Sequence, residues 1–211
     1  MSTDTTSTPE GGGTGEPGEG EVRPLRADAQ RNRARVLEAA EAVFAAEGIN
    51  VPVDVIAEKA GVGVGTLYRH FPTKERLFEA ILIGRIDGIA RDALARVESE
   101  DPGAAFFGFL EDLVDESASK RDLIQALLGA GVEIEAAVAE TKQQLEAAVG
   151  ALLHVAQGAR AVRPDVTTGV VLSLVGATCL AADHPPKGVT PREMLAIVCD
   201  GLRPPARESD T

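Results

Sequence analysis

Apolar residues recur at intervals of three and four along most of this chain, which is the spacing of one face of an α-helix. The first such stretch predicts a helix from about Asp28 to Glu47. Its apolar face carries Val36, Leu37, Ala40, Val43 and Phe44. Gly48 suits the left-handed position that commonly follows a helix. The alternation of apolar and polar residues typical of a strand is missing, so the pattern predicts an all-α fold of about nine helices.

Two of the predicted helices are short and lie close together in the sequence. One runs from about Pro52 to Ala60 and the other from about Val64 to His70. Between them, residues 61–63 (Gly-Val-Gly) are expected to form a turn. A short helix, a glycine turn and a second short helix are the layout of a helix-turn-helix, in which the second helix enters the major groove of DNA.

The flanks of the second short helix indicate how this unit is held and where it ends. Leu67 and Phe71 are four residues apart, so both are predicted to face the core. Pro72 ends the helix, and Thr73 offers an N-cap for the next one. That next helix is predicted from about Lys74 to Val97, a length of roughly 36 Å that is sufficient to link two domains.

The rest of the chain is also predicted to be helical. Proline and capping signals mark most of the helix starts, and the strongest signal is the capping box from Thr190 to Glu193. The predicted helices open at Asp101-Pro102, at Ser119, near Glu133, at Pro164-Asp165 and after Thr190, and the last three end near Gln157, Ala182 and Gly201. Residues 23–72 are therefore predicted to form a helix-turn-helix domain, and residues 73–203 a second helical domain.

The charge of the chain is unevenly distributed. The net charge is −12, which by itself argues against a protein that binds nucleic acid. Residues 1–21 hold no basic and five acidic residues, residues 22–85 hold ten basic and eight acidic residues, and residues 86–211 hold eleven basic and twenty acidic residues. The only segment with a positive balance contains the predicted helix-turn-helix. We expect the acidic remainder to be repelled from phosphate and kept off the duplex.

Both ends of the chain are expected to lack fixed structure. Residues 1–22 are rich in Gly, Thr, Ser, Pro and Glu and bury too little apolar surface to offset the entropy of ordering, so they are predicted to be a disordered tail. Residues 204–211 are predicted to be a flexible C-terminus. A basic lead-in, residues 22–27, follows the tail. Arg23 and Arg26 lie in this lead-in, and Arg31, Arg33 and Arg35 follow it closely. The segment is interpreted either as a solvated helix start or as an arm that reaches phosphates or the minor groove.

The sequence offers little support for catalysis or metal binding. The glycine-rich residues 61–65 lack the preceding strand that a dinucleotide-binding loop requires. The three histidines are far apart and lack the spacing of metal ligands. A run of acidic residues is interpreted as a solvated helix face rather than a metal or acid–base site; its members are Glu111, Asp112, Asp115 and Glu116. No nucleophile has a recognisable base nearby, so we expect neither an enzyme nor a cofactor.

The cellular compartment is predicted from two further features. The N-terminus lacks a basic and apolar signal pattern, and no apolar run is long enough to cross a membrane, so a cytoplasmic protein is expected. In a reducing cytoplasm, Cys179 and Cys199 are expected to be free core thiols. A redox switch at these cysteines is the alternative.

Residues 60–77, AGVGVGTLYRHFPTKERL, closely resemble the TetR family of transcriptional regulators. The resemblance covers about Val36 to Leu82, and the turn, the GTLYRHF helix and the TKE helix start occur at the family spacing. It implies an all-α architecture with an N-terminal three-helix DNA-binding domain, followed by a helical ligand-binding and dimerisation domain. In two places the sequence departs from the family: Gly63 stands where Ser is common, and Val64 where a polar residue is common.

The resemblance also implies roles for individual residues. Gly65 would let the backbone approach a base edge, while Val64 and Thr66 would contact a thymine methyl group or a base acceptor. Phosphates would be held by Tyr68, His70 and Lys74. Arg69 points away from the inner face of its helix and completes the predicted DNA-binding set.

In the second domain, the resemblance implies a small-molecule effector and a dimer interface. An apolar effector pocket is predicted from Phe106, Phe109, Leu110, Leu127 and His154, although the same residues fit an ordinary core. The small residues Gly169, Ser173, Gly176 and Ala177 allow close helix approach, so their helix and the last one are predicted to form a two-fold interface.

These features together predict a homodimeric repressor that a small-molecule effector releases from double-stranded operator DNA. Two alternatives come from other classes. One is a DNA-binding regulator or architectural protein that has no effector, which a fully packed second domain would favour. The other is a helical enzyme whose site is not recognisable in the sequence.

Overall fold

The computed structural model describes residues 22–119, 134–181 and 188–205. Within these ranges the chain contains helices and no strand, which confirms the predicted all-α class. The eight described helices are α1 (Val22–Glu47), α2 (Val53–Ala60), α3 (Val64–His70), α4 (Lys74–Ala95), α5 (Pro102–Ser119), α6 (Ile134–Gly158), α7 (Thr168–Ala181) and α8 (Pro191–Leu202). Most of the helix predicted to open at Ser119 lies outside the described residues, as do residues 1–21 of the tail predicted over 1–22 and residues 206–211 of the C-terminus predicted over 204–211.

Helices α1, α2 and α3 and the first two turns of α4 share one hydrophobic cluster. Leu67 and Phe71 are only 1% and 2% exposed, as their spacing predicts. The other large members of the cluster are Val36, Val43, Phe44, Ile56, Leu77, Phe78 and Ile81. This cluster fixes α3 against α1 and α4 and determines which face of α3 points outward.

A second cluster holds the C-terminal half of α4 together with α5, α6, α7 and α8. Its interior is built around two phenylalanines of α5, Phe106 and Phe109, which are 0% and 2% exposed. Leu110, Leu152 and Leu195 surround them from three helices. Because α4 contributes to both clusters, it connects the two halves of the described structure.

Helix boundaries agree with the local signals in most places. Gly48 has φ of +82° after α1, as predicted for a residue past a helix end. Thr73 caps α4 by accepting a hydrogen bond from the Arg76 backbone N–H at 3.3 Å. The capping box before α8 is also confirmed, since Thr190 and Glu193 exchange side-chain and backbone hydrogen bonds.

Two predicted helix starts are wrong. Helix α1 begins at Val22, six residues before Asp28, because Pro24 falls in the first turn, where the missing N–H costs nothing. Helix α7 begins at Thr168 rather than at Pro164-Asp165. The Asp165 carboxylate is taken by Arg163, with two N···O distances of 2.7 Å, so it does not cap a helix.

None of the helices in the described ranges combines the length and the apolar character that a membrane crossing requires.

Candidate nucleic-acid interface

The turn between α2 and α3 depends on a glycine in the left-handed conformation. Gly61 has φ of +63°, and its N–H closes α2 by donating to Ala57 and Glu58. A Cβ atom at this position would lie 2.5 Å from Nη2 of Arg35. That nitrogen also donates to the Gly61 carbonyl oxygen at 3.3 Å. The predicted turn is thus confirmed, and it is held by a side chain of α1.

Helix α3 starts without a side-chain cap. Gly63 occupies the N-cap position in an extended conformation, with φ of −68° and ψ of 145°, and no side chain accepts from the first-turn amides. The structure therefore confirms the prediction that α3 lacks a capping hydroxyl at residue 63. The Gly63 carbonyl oxygen accepts from Thr66 and Leu67 at 2.8 and 3.1 Å, so the helix is closed by its backbone alone.

The outward face of α3 brings most of the predicted DNA-binding residues together. Val64 and Tyr68 are 37% and 46% exposed, although the side chain of Val64 is apolar and that of Tyr68 is largely so. Gly65 and Arg69 are also exposed, while Thr66 and His70 are half-buried. A Cβ atom on Gly65 would meet nothing within 4 Å. Nothing within the described fold therefore requires glycine at residue 65.

Lys74 differs from the rest of the predicted set because its ammonium group has partners inside the protein. Its Nζ atom donates to the Val51 carbonyl oxygen at 2.8 Å in a partly buried position. The same atom lies 5.7 Å from the ring centroid of Phe44 and 5.9 Å from that of Phe78. Lys74 thus joins the first turn of α4 to the segment that precedes α2.

A cleft at the base of α3 contains Arg33, which the sequence groups with the arginines that follow the basic lead-in. The cleft has a volume of about 350 Å³ and is lined by residues of α1, α3 and α4, including Arg33, His70, Thr73 and Arg76. The Cζ atom of Arg33 lies 5.3 Å from the ring centroid of Phe71. The contact joins residues 38 positions apart, so helix periodicity alone gives no signal for it.

The predicted effector pocket is not assembled as expected. Phe106, Phe109 and Leu110 are at most 2% exposed and pack as core, the alternative that their apolar character allowed. His154 is exposed on α6, so the prediction that it joins this pocket is wrong. Neighbouring positions Leu152 and Leu153 face the core, which turns His154 outward. The fifth predicted residue, Leu127, lies outside the described residues.

A different cleft, with a volume of about 550 Å³, lies between α4 and α6. Its apolar lining consists of alanines and of Leu94, which is 52% exposed. Three polar side chains, Asp87, Arg91 and Gln144, also line it. The size and the mixture of apolar and polar groups are typical of sites for small molecules.

The acidic run on α5 forms ion pairs with neighbouring helices. Asp112 pairs with Arg96 of α4 at 2.6 Å, and Asp115 pairs with Arg192 of α8 at 2.6 Å. Among the described residues there is no group of three or more His, Cys, Asp or Glu side chains that could hold a metal ion. Burial raises the pKa of the Cys199 thiol, which keeps that thiol protonated and unreactive near neutral pH.

Models of known protein families match both halves of the chain. Residues 36–81 match the family model described as bacterial regulatory proteins of the tetR family. Residues 101–204 match the model described as the C-terminal domain of SbtR-like transcriptional regulators.

Similar proteins extend this match to most of the chain. The crystal structure of a TetR transcription regulatory protein from Mycobacterium vanbaalenii is 42% identical, with a TM-score of 0.70 over 86% of this chain and 100% of that one. A TetR transcriptional regulator from Streptomyces coelicolor is 29% identical, with a TM-score of 0.65 over 82% of this chain and 99% of that one. The HTH-type transcriptional regulator UidR of Escherichia coli is 25% identical over 72% of this chain and 79% of its own length. The chain belongs to the TetR family and is a DNA-binding transcriptional regulator.

Proposed function

We propose that this regulator is a repressor that binds operator DNA in the cytoplasm as a homodimer and is released by a small-molecule effector. The observation that carries the DNA-binding mode is the outward face of α3. Val64 and Tyr68 are exposed there, beside a glycine that the fold does not need, within the one segment whose charge balance is positive. Exposed aromatic and apolar groups on a short helix are suited to a major groove.

Individual roles follow from where each side chain lies. Val64, Gly65 and Thr66 occupy the first turn of α3 and are proposed to face base edges. Tyr68, Arg69 and His70 are proposed to hold phosphates. Lys74 is proposed to do so as well, because an ammonium group has three N–H donors and the Val51 carbonyl oxygen uses one of them.

The proposed dimer uses the outer surface of α7 and α8. Leu180 and Ile197 are 63% and 73% exposed, and Val170 and Leu174 are 47% and 39% exposed. The small residues predicted for close helix approach are exposed on α7 as well: Gly169, Ser173, Gly176 and Ala177. Exposed apolar and small residues on these two helices support a two-fold interface between copies of this chain.

The effector is proposed to bind in the cleft between α4 and α6. Helix α4 contributes Asp87, Ala90, Arg91 and Leu94 to the cleft, and its first turns pack into the cluster that holds α3. An effector that favours a different position of α4 would therefore change the orientation of the recognition helix. A repressor released from its operator requires this coupling between the two sites.

A selection of bound DNA from genomic fragments tests the proposal. The wild-type protein is expected to retain a defined set of fragments, with binding that weakens steeply between 50 and 200 mM salt, roughly as expected for several phosphate contacts. A library of small amphipathic compounds is then screened for release of the best fragment. An Ala147→Phe variant, which fills the cleft, should bind the fragment and fail to be released.

A regulator without an effector is the second candidate function. The closed packing of Phe106, Phe109 and Leu110 favours it, because these residues leave no space for a ligand among themselves. This candidate predicts that no compound releases the fragment from the wild-type protein, and that wild type and Ala147→Phe behave alike in the screen.

A further inference from the structure

The cleft at the base of α3 has no role in the proposed contacts of Val64, Gly65 and Thr66 with base edges. Three helices meet there: α1 contributes Arg33, α3 contributes His70, and the start of α4 contributes Thr73 and Arg76. Its volume of about 350 Å³ lies at the lower end of the range for small-molecule sites and is ample for one tetrahedral oxyanion. Its walls come from residues that are distant in sequence, so the fold has assembled it.

Arg33 is the group whose charge is available in this cleft. Among the ion pairs of the described residues, Arg31 is paired with Asp28 and Arg76 with Glu79, whereas none includes Arg33. The guanidinium carbon lies 5.3 Å from the centroid of the Phe71 ring. Phe71 is 2% exposed, and its ring is held in the hydrophobic cluster of α1 to α4. A cation–π contact with this buried ring restrains the guanidinium group and leaves N–H donors for an oxyanion.

The remaining charges of the cleft also favour an anion. The one carboxylate in its lining, Glu79, is neutralised by Arg76 at 2.7 Å. Arg33 then supplies an uncompensated positive charge, and His70 supplies an imidazole that donates when it is in the appropriate tautomer. An oxyanion that can accept two N–H bonds from one guanidinium edge, such as a phosphate, matches this arrangement.

We propose that this cleft binds one phosphate of the DNA backbone, with Arg33 as its principal ligand and His70 as the second. The inference rests on the proposed DNA-binding mode and adds a contact from α1 to those from α3. It accounts for an arginine in cation–π contact with a buried ring beside the recognition helix. A contact on each side of α3 would fix the angle at which that helix enters the groove, since phosphate contacts set orientation.

The salt dependence of binding to the selected genomic fragment tests this assignment. Arg33→Gln removes the charge and the fork of donors. Arg31→Gln is the matched control, since Arg31 is an exposed arginine of the same helix. Its pairing with Asp28 favours a solvated helix start over the phosphate contact that the sequence left open for Arg31. We expect Arg33→Gln to reduce the slope of log K against log salt by about 0.9 for each protomer, and Arg31→Gln to leave the slope unchanged. Both variants should unfold at the wild-type temperature.

Methylphosphonate substitution of single phosphates in the fragment locates the contact. At one position in each half-site, the neutral linkage should weaken wild-type binding as much as Arg33→Gln weakens binding to unmodified DNA. The Arg33→Gln variant should be insensitive at that position alone. Equal slopes for wild type and Arg33→Gln, or equal reductions in affinity for Arg33→Gln and Arg31→Gln, would overturn the proposal.

Two other outcomes separate this inference from related ones. Free phosphate shares the same chemistry, so the thermal stability of wild type and Arg33→Gln is also measured with inorganic phosphate. If Arg33→Gln is no longer protected by inorganic phosphate and keeps the wild-type salt slope on DNA, the cleft is a site for free anions and the DNA assignment is wrong. If wild type retains no fragment at all, the proposed DNA-binding mode fails first and this inference fails with it.

Discussion

The Nζ atom of Lys74 lies 2.8 Å from the carbonyl oxygen of Val51 and thereby joins the first turn of α4 to the segment that leads into α2. The ammonium group also lies over the rings of Phe44 and Phe78, which meet edge to face with their centroids 5.1 Å apart. These contacts make the helix-turn-helix and the start of α4 one unit. We therefore expect a movement of α4 to be transmitted to the helix-turn-helix.

Replacing Lys74 by Met tests the contact between Lys74 and Val51, because Met keeps much of the apolar part of the lysine side chain and removes its N–H donors. The Val51 carbonyl oxygen would be deprived of its donor from a charged group, so we expect the free energy of unfolding to fall by about 1–2 kcal/mol. Chemical denaturation followed by circular dichroism measures the change. Lys59→Met, on the exposed face of α2, is the control and should leave stability unchanged. Equal stability of the two variants would contradict a stabilising role for the contact between Lys74 and Val51.

Gly65→Ala is expected to change stability and DNA binding in opposite directions. A Cβ atom at this position meets nothing within 4 Å, so alanine should stabilise the helix by up to about 1 kcal/mol. Operator affinity should fall, because the methyl group would stand between the backbone and a base edge. Thermal unfolding and fluorescence anisotropy measure the two effects. Gly84→Ala, equally unobstructed on α4, should stabilise the protein without weakening binding. Unchanged affinity of Gly65→Ala would remove this glycine from the interface.

A charge on the apolar surface of α7 and α8 should separate the proposed dimer. Leu174→Glu and Ile197→Glu would each place a carboxylate in the interface, at the cost of burying a charge without a partner. Sedimentation velocity at micromolar concentration should show a monomer for either variant and a dimer for the wild type. Leu94→Glu is the control, since Leu94 is 52% exposed on α4. A dimer that persists in both α7 and α8 variants would refute this interface.

The capping box of α8 should contribute to acid sensitivity. Hydrogen bonds from the backbone N–H and the hydroxyl of Thr190 lower the pKa of Glu193 below its ordinary value. A lowered folded-state pKa stabilises the fold above the unfolded-state pKa, and this stability is lost as pH falls through the folded-state value. The urea midpoint should therefore fall between about pH 5 and pH 3. Glu193→Gln should start lower at pH 7 and show a smaller fall. Parallel pH profiles would exclude this contribution.

The sequence predicts the recognition unit well because its signals are local. The glycine turn, the inward spacing of Leu67 and Phe71, and the Thr73 cap each depend on a few neighbouring residues. The hydrogen bond from Lys74 to Val51 and the cation–π contact of Arg33 with Phe71 depend on how distant segments pack, and periodicity carries no information about such pairs.

The errors in the second half have physical causes of the same kind. Asp165 has the right position to cap a helix, but Arg163 binds its carboxylate and the helix starts later. The sequence groups His154 with the phenylalanines only because a histidine suits a ligand pocket. The buried positions Leu152 and Leu153 determine the inner face of α6, and that face leaves His154 in solvent.

The DNA-binding role of the outward face of α3 is tested by the affinity of wild type and of a Tyr68→Ala/Arg69→Ala variant for the selected genomic fragment. Both side chains are exposed on α3 and carry no part of the core, so the variant should unfold at nearly the wild-type temperature. We expect the variant to bind at least about tenfold more weakly, with a salt slope smaller by about 0.9 for each phosphate that it no longer binds. A correctly folded variant that binds the fragment with wild-type affinity and an unchanged slope would contradict this role.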